Sequence, residues 1–133
     1  MRHPVLSSRR LRSVAAVAGG GLVGSAARTA VGLMIPAMEG GFPASVIVVN
    51  LLGSFLLGLF LARWERATGG ATSLRFWAIG VLGSFTTFSA FSTDIVELLA
   101  ADRVLAGVGY VGVSLLGGLA LARVGRRIGV VVR

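Results

Sequence analysis

Residues 83–93 read GSFTTFSAFST. Ser84, Thr86, Thr87, Ser89, Ser92 and Thr93 put six hydroxyls into eleven residues, and Phe85, Phe88 and Phe91 recur at every third position. An aromatic ring has a positive edge as well as a negative face, so ring edges can receive a small anion. Hydroxyls add donors along the same path. On a helix Phe88 and Phe91 are neighbours on one face, an arrangement that equally suits plain packing. Ser and Thr also bond back to helix carbonyls and bend the helix. Together with Gly83 they predict a break here. Inside a membrane a break is tolerated only where protein or a cavity covers the freed backbone. Freed carbonyls bind a cation and freed N–H groups an anion. The stretch therefore marks an ion site without choosing the ion.

Two further residues stand out. Asn50 lies in the apolar run VIVVNLLGSF. Its amide must find hydrogen-bond partners, either as glue between helices or as a donor lining a pore. Arg28 is the one charge well inside an apolar span. Such a charge either faces a cavity or snorkels to the interface. A lone arginine among neutral residues favours anions over cations. Gly20 with Gly24, Gly53 and Ser54 with Gly58, and Ser114 with Gly118 have the spacing of close helix contacts and are assigned to packing. There is no cysteine and a single histidine, His3, which excludes thiolate chemistry and cysteine- or histidine-built metal sites. No acid, base and nucleophile converge, so an enzyme is not expected.

The elements that must hold these residues are membrane helices. The chain has 133 residues, of which 55% are hydrophobic and 14% charged, with 20 glycines. A hydrocarbon layer of about 30 Å takes roughly 20 apolar residues in a helix. Four stretches qualify: 13–36, 44–62, 76–93 extended by LLAA to 101, and 104–122. Short connections are expected near Glu39 and Gly40, around Arg63–Arg75 and at Asp102–Arg103. The reading is a single all-α membrane domain of four spans, the third broken at mid-membrane.

Arginine placement orients it. Arg2, Arg9, Arg10 and Arg12 precede the first span, Arg63, Arg66 and Arg75 lie between the second and third, and Arg123, Arg126, Arg127 and Arg133 follow the fourth. The other side has Arg103 alone. Positive charge stays cytoplasmic, so both termini are expected in the cytoplasm of a cell-membrane protein. The formal net charge of +8 belongs to these span ends and leaves no basic face for nucleic acid. A competing reading makes SSRRLRSVAAVAGGGLVGSAA a secretory signal. The apolar run resumes after Arg28, so a span is the simpler account.

With these residues in place the chain resembles the Fluc-type fluoride channels, the CrcB family. The resemblance rests on Gly24 and Arg28, on VNLLGSFLLG (49–58), on GVLGSFTTFSAFS (80–92) and on Tyr110 with Ser114. It implies a passive fluoride-selective channel that relieves fluoride toxicity. It implies an antiparallel dimer of four-helix subunits with two pores. Phe88 and Phe91 correspond to pore rings, Asn50 to the pore asparagine, and Thr87 and Ser89 to hydroxyls near the rings. Tyr110 and Ser114 correspond to a polar track on span 4, and Arg28 to a vestibule arginine. The carbonyls of Gly83 and Thr86 correspond to ligands of a structural sodium ion at the dimer centre.

Three positions depart from that pattern: Val46, Ala90 and Gly118 each lack an expected hydroxyl. One pore is therefore expected to be impaired. An antiparallel homodimer needs one chain to insert both ways, whereas the arginine bias here is one-sided. The expectation is a dimer with an oppositely oriented paralogue rather than with itself. Two other classes fit four short spans: a small multidrug or cation exporter, which needs an acid at mid-membrane, and a non-conducting partner subunit.

Overall fold

The structure is a computed structural model that describes residues 7–35, 41–67 and 70–131. Four stretches are long and apolar enough to cross a membrane: Ser8–Met34, Ala44–Arg66, Ala71–Ala100 and Val104–Val131. We label Ser8–Met34 α1, Ala44–Arg66 α2, residues 71–85 α3, Phe88–Ala100 α4 and Val104–Val131 α5. Among the described residues there is no strand. The chain is a multi-pass membrane protein.

The helices exceed the expected spans at their charged ends. α1 begins five residues before Ser13 and takes in Arg9, Arg10 and Arg12. α5 runs on from residue 122 to Val131. Arginine is a good helix former, and the helix gains backbone bonds by continuing into the headgroup region. The connection expected near Glu39 and Gly40 falls outside the described residues.

The third span is interrupted where its hydroxyls cluster. α3 starts α-helical at Ala71–Leu74, widens into π-type turns over Arg75–Leu82, and closes with Gly83–Phe85. Thr86 (φ −74°, ψ 158°) and Thr87 (φ −143°, ψ 122°) are extended, and α4 restarts at Phe88. The break thus falls three residues beyond Gly83. Part of the cause is local: the Thr87 hydroxyl accepts the Ala90 N–H at 3.2 Å and caps the new helix, a contact that stabilises a helix start by about 1 kcal/mol.

α4 and α5 are joined by a tight C-terminal cap. Arg103 N–H donates to Leu98 O at 2.9 Å and Asp102 N–H to Leu99 O at 3.1 Å. Asp102 takes φ 55°. This is a Schellman arrangement in which a short polar residue occupies the left-handed position. The reversal leaves no spare chain, so α4 and α5 lie side by side.

Packing falls into two principal pairs, α1 on α3 and α2 on the C-terminal half of α5. Glycines set both distances. A Cβ at Gly24 would collide with the Val81 carbonyl oxygen, and one at Gly125 with the Phe55 carbonyl oxygen. Backbones this close gain dispersion contact that lipid chains cannot supply. Beside the break, Phe91, Leu98 and Tyr110 form a buried cluster, with Phe42, Val46 and Ile95 packed against it.

Candidate functional site

The break is held by a side chain from another helix. Asn50 Nδ2 donates to Thr87 O at 3.0 Å, and Thr87 N–H donates to Asn50 Oδ1 at 2.9 Å. An unbroken helix would spend that N–H on Gly83 O. Asn50 supplies both partners that Thr87 lost, in the geometry of one amide facing another. The pairing also fixes which way the amide points. Of the two uses open to Asn50, the structure shows the hydrogen-bonded clasp between helices.

The hydroxyls mostly serve the helix itself. Thr86 Oγ1 donates to Leu82 O at 3.1 Å, Ser92 Oγ to Phe88 O at 2.9 Å, and Thr93 Oγ1 to Ser89 O at 3.1 Å. Thr87 Oγ1 lies 3.2 Å from Ser89 Oγ. Back-bonding of this kind satisfies hydroxyls in an apolar environment and loosens the helix beside the break.

The three phenylalanines have different fates. Phe85 is buried at 5% exposure, Phe91 at 8%, and Phe88 is 79% exposed. The Phe88 and Phe91 centroids are 5.9 Å apart, as neighbours on one helix face should be. Phe91 stacks on Tyr110 at 5.3 Å, and Phe42 meets Tyr110 edge-on at 6.0 Å. Tyr110, 1% exposed, donates its hydroxyl to Asp94 Oδ2 at 2.6 Å.

Two cavities flank the clasp and share Thr87. The first, about 330 Å³, is lined by Asn50, Gly83, Thr86, Phe88, Phe91 and Ser114, among others. The Ser114 hydroxyl is buried without a partner, so a polar donor beside this cavity is unspent. The second, about 280 Å³, is lined by Arg28, Ser45, Val46, Ser89 and Ala90, among others. Arg28 does not snorkel away: its Nη1 reaches inward to Thr86 O at 3.4 Å. Among the described residues no carboxylate lines either cavity.

The structure thus brings Asn50, Gly83, Thr86, Thr87, Phe88, Phe91 and Ser114 around one space and Arg28 and Ser89 around the other. Tyr110 lines neither. It supports the Phe91 ring from behind and points its hydroxyl at Asp94. Val46 and Ala90, two of the departures, fall in the same cavity, and Val46 also packs against the aromatic cluster. Gly118 lies beside Ser54, whose Oγ would be 3.3 Å from a Cβ there.

Comparison with known proteins decides the family. The family model described as CrcB-like protein, Camphor Resistance (CrcB), matches residues 15–126. The chain belongs to the CrcB family. That match reaches into all four spans of this CrcB-family chain. It is 41% identical over 110 residues to the fluoride-specific ion channel FluC 2 of Listeria innocua, covering 80% of this chain and 82% of that one. It is 45% identical over 115 residues to a fluoride-specific ion channel FluC of Thermus thermophilus, covering 85% and 91%. The counterpart of that name in Deinococcus radiodurans is 41% identical over 112 residues, covering 83% and 89%.

Three residues of the site escaped sequence reading. Ser45 sits at the start of α2, where a serine reads as a helix-end residue. Ser54 falls in a small-residue packing pattern. Asp94 looks like an ordinary end-of-span acid until α5 folds back and brings Tyr110 against it. Replacing Tyr110 by Phe should cost about 1–3 kcal/mol, because Asp94 keeps its position and loses its donor. Thermal melting of Tyr110→Phe in detergent checks this, and an unchanged midpoint would show that the contact contributes nothing.

Proposed function

We propose that this chain is a subunit of a fluoride-selective channel that lets fluoride leave the cytoplasm passively and so limits its toxicity. The observation that carries the reading is the pair of cavities at a clasped helix break. Among the described residues they are lined by hydroxyls, two phenylalanine rings and one arginine, and by no carboxylate. The CrcB-family relatives named as fluoride-specific ion channels support the choice of ion. Fluoride gives up water on entering so narrow a space and takes hydrogen bonds in exchange. The unspent Ser114 hydroxyl, the second N–H of Asn50, and the positive edges of Phe88 and Phe91 are the groups that replace that water in the first cavity. Arg28, Thr87 and Ser89 offer donors on the second. An exporter coupled to protons needs a central acid. Asp94, on the helix that follows the break, lines neither cavity and holds Tyr110.

Phe88 argues for a second chain. An aromatic ring 79% exposed beside a pore-forming cavity leaves the pore open on that side. A second subunit closes it, and an antiparallel pair makes two such pores. The backbone oxygens at the break fit a structural sodium ion. Gly83 O has lost the Thr87 N–H to Asn50, and Thr86 O receives one long contact from Arg28. Two carbonyls are too few to hold a sodium ion, so Gly83 and Thr86 from both subunits would hold it. When bound, the ion would tie the two breaks together electrostatically. The one-sided arginines put both termini in the cytoplasm and favour an oppositely oriented paralogue as the partner.

The deciding experiment is fluoride efflux from liposomes holding the purified chain alone, with chloride as the control ion. Silence alone, and efflux once the paralogue is added, is the expected result. Efflux by the chain alone would establish a homodimer and overturn the partner assignment while keeping the channel. Silence in both arrangements would overturn the channel reading.

A further inference from the structure

We propose that the groove between the first turns of α1 and α3 binds the phosphate of an anionic phospholipid. Arg9, Arg10, Arg12 and Arg75 line a cavity of about 670 Å³ together with Val14 and Thr72. The first turn of α1 has no acidic residue. Cations there are the wrong charge for a helix N-terminus, whose N–H groups are already partly positive. α3 adds a second positive end at Ala71, where no side chain caps the helix. Two helix starts and four guanidinium groups thus converge. Among the described residues no carboxylate lines the groove, and none of the four arginines has an ion-pair partner.

The other arginine cluster lacks this imbalance. Arg123, Arg126 and Arg127 lie on the last helix, near a C-terminal end that favours cations. Arg126 pairs with Glu65 at 3.6 Å, and Arg66 donates to Val130 O. Among the described residues the α1–α3 groove has no local counter-charge. A charge run is most often simply solvated, but here apolar surface adjoins it: Val14 lines the groove at 57% exposure, and Leu11, on the same stretch of α1, is 59% exposed. A free phosphate gains nothing from them, whereas a phospholipid lays its glycerol and chains along them. Basic pockets between spans at the membrane surface bind anionic headgroups in this way.

The test is native mass spectrometry of the full chain in neutral detergent, offered an equimolar mixture of phosphatidylglycerol and phosphatidylcholine. Preferential retention of phosphatidylglycerol is expected. It should fall about fivefold for each arginine removed, in Arg75→Gln and then in Arg9→Gln/Arg10→Gln/Arg75→Gln. The variant Arg123→Gln/Arg126→Gln/Arg127→Gln removes the same charge elsewhere and should retain the preference. Equal losses in both triple variants would show diffuse attraction and overturn the site, as would no preference in the parent chain. Displacement of phosphatidylglycerol by millimolar inorganic phosphate would make the free anion the ligand and overturn the lipid. Should the triple variant fail to purify, Arg75→Gln alone decides.

Discussion

Replacing Asn50 by Ala is expected to abolish fluoride flux and to destabilise the subunit by about 2–5 kcal/mol. The loss has two parts. Thr87 N–H loses its acceptor and Thr87 O its donor. Each unsatisfied backbone group costs about 1–3 kcal/mol. Thr86 and Thr87 then have reason to rejoin the helix, which would return the Thr87 N–H to Gly83 O and close the break. The first cavity would change shape and the carbonyls assigned to sodium would be spent. Liposome efflux and a detergent melt measure the two parts separately. Retained flux with an unchanged melt would show that the break stands without its clasp.

The second large effect is expected from Gly24→Ala. A methyl there runs into Val81 O and comes within 3.0 Å of Phe85 N, both backbone atoms that no rotamer change can move. α1 and α3 must part, at a cost of about 3 kcal/mol, the upper end of the usual range for overpacking. Parting them also withdraws Arg28 from Thr86 O, so flux should fall with stability. Gly32→Ala is the control. It lies on the same helix and a Cβ there meets nothing within 4 Å. Its effect should stay within about 1 kcal/mol, with any gain coming from helix propensity. Equal melting midpoints for the two variants would show that close approach at Gly24 is not what sets the α1–α3 distance.

Much of the architecture was legible because it depends on neighbours in the chain. An apolar run long enough for a bilayer must be helical, since no other open backbone survives there. Arginines collect at span ends whatever the helices pack against. The break near Gly83 could be foreseen from hydroxyl density, because Ser and Thr compete for helix carbonyls within one turn. Its place could not be foreseen to the residue. It fell at Thr86–Thr87, where a capping hydroxyl and a clasp from another helix coincide.

The functional geometry depends on residues far apart in sequence. Asn50 meets Thr87 across 37 positions, Arg28 reaches Thr86 across 58, and Tyr110 meets Asp94 across 16. Each pairing needs two helices at one separation, one rotation and one relative height. Phe88 and Phe91 share a face, yet one is exposed and the other buried, because α5 covers only the part of that face where Tyr110 stands. Local sequence was enough for four membrane helices, their arginine-rich ends, an interrupted third span and a set of neutral donors suited to an anion. Only the packing of the helices settled which of those donors are spent on the backbone and which are left unspent. Hydrogen-bond partners are chosen by distances that the glycine contacts between helices set, and no local pattern encodes a distance between two helices.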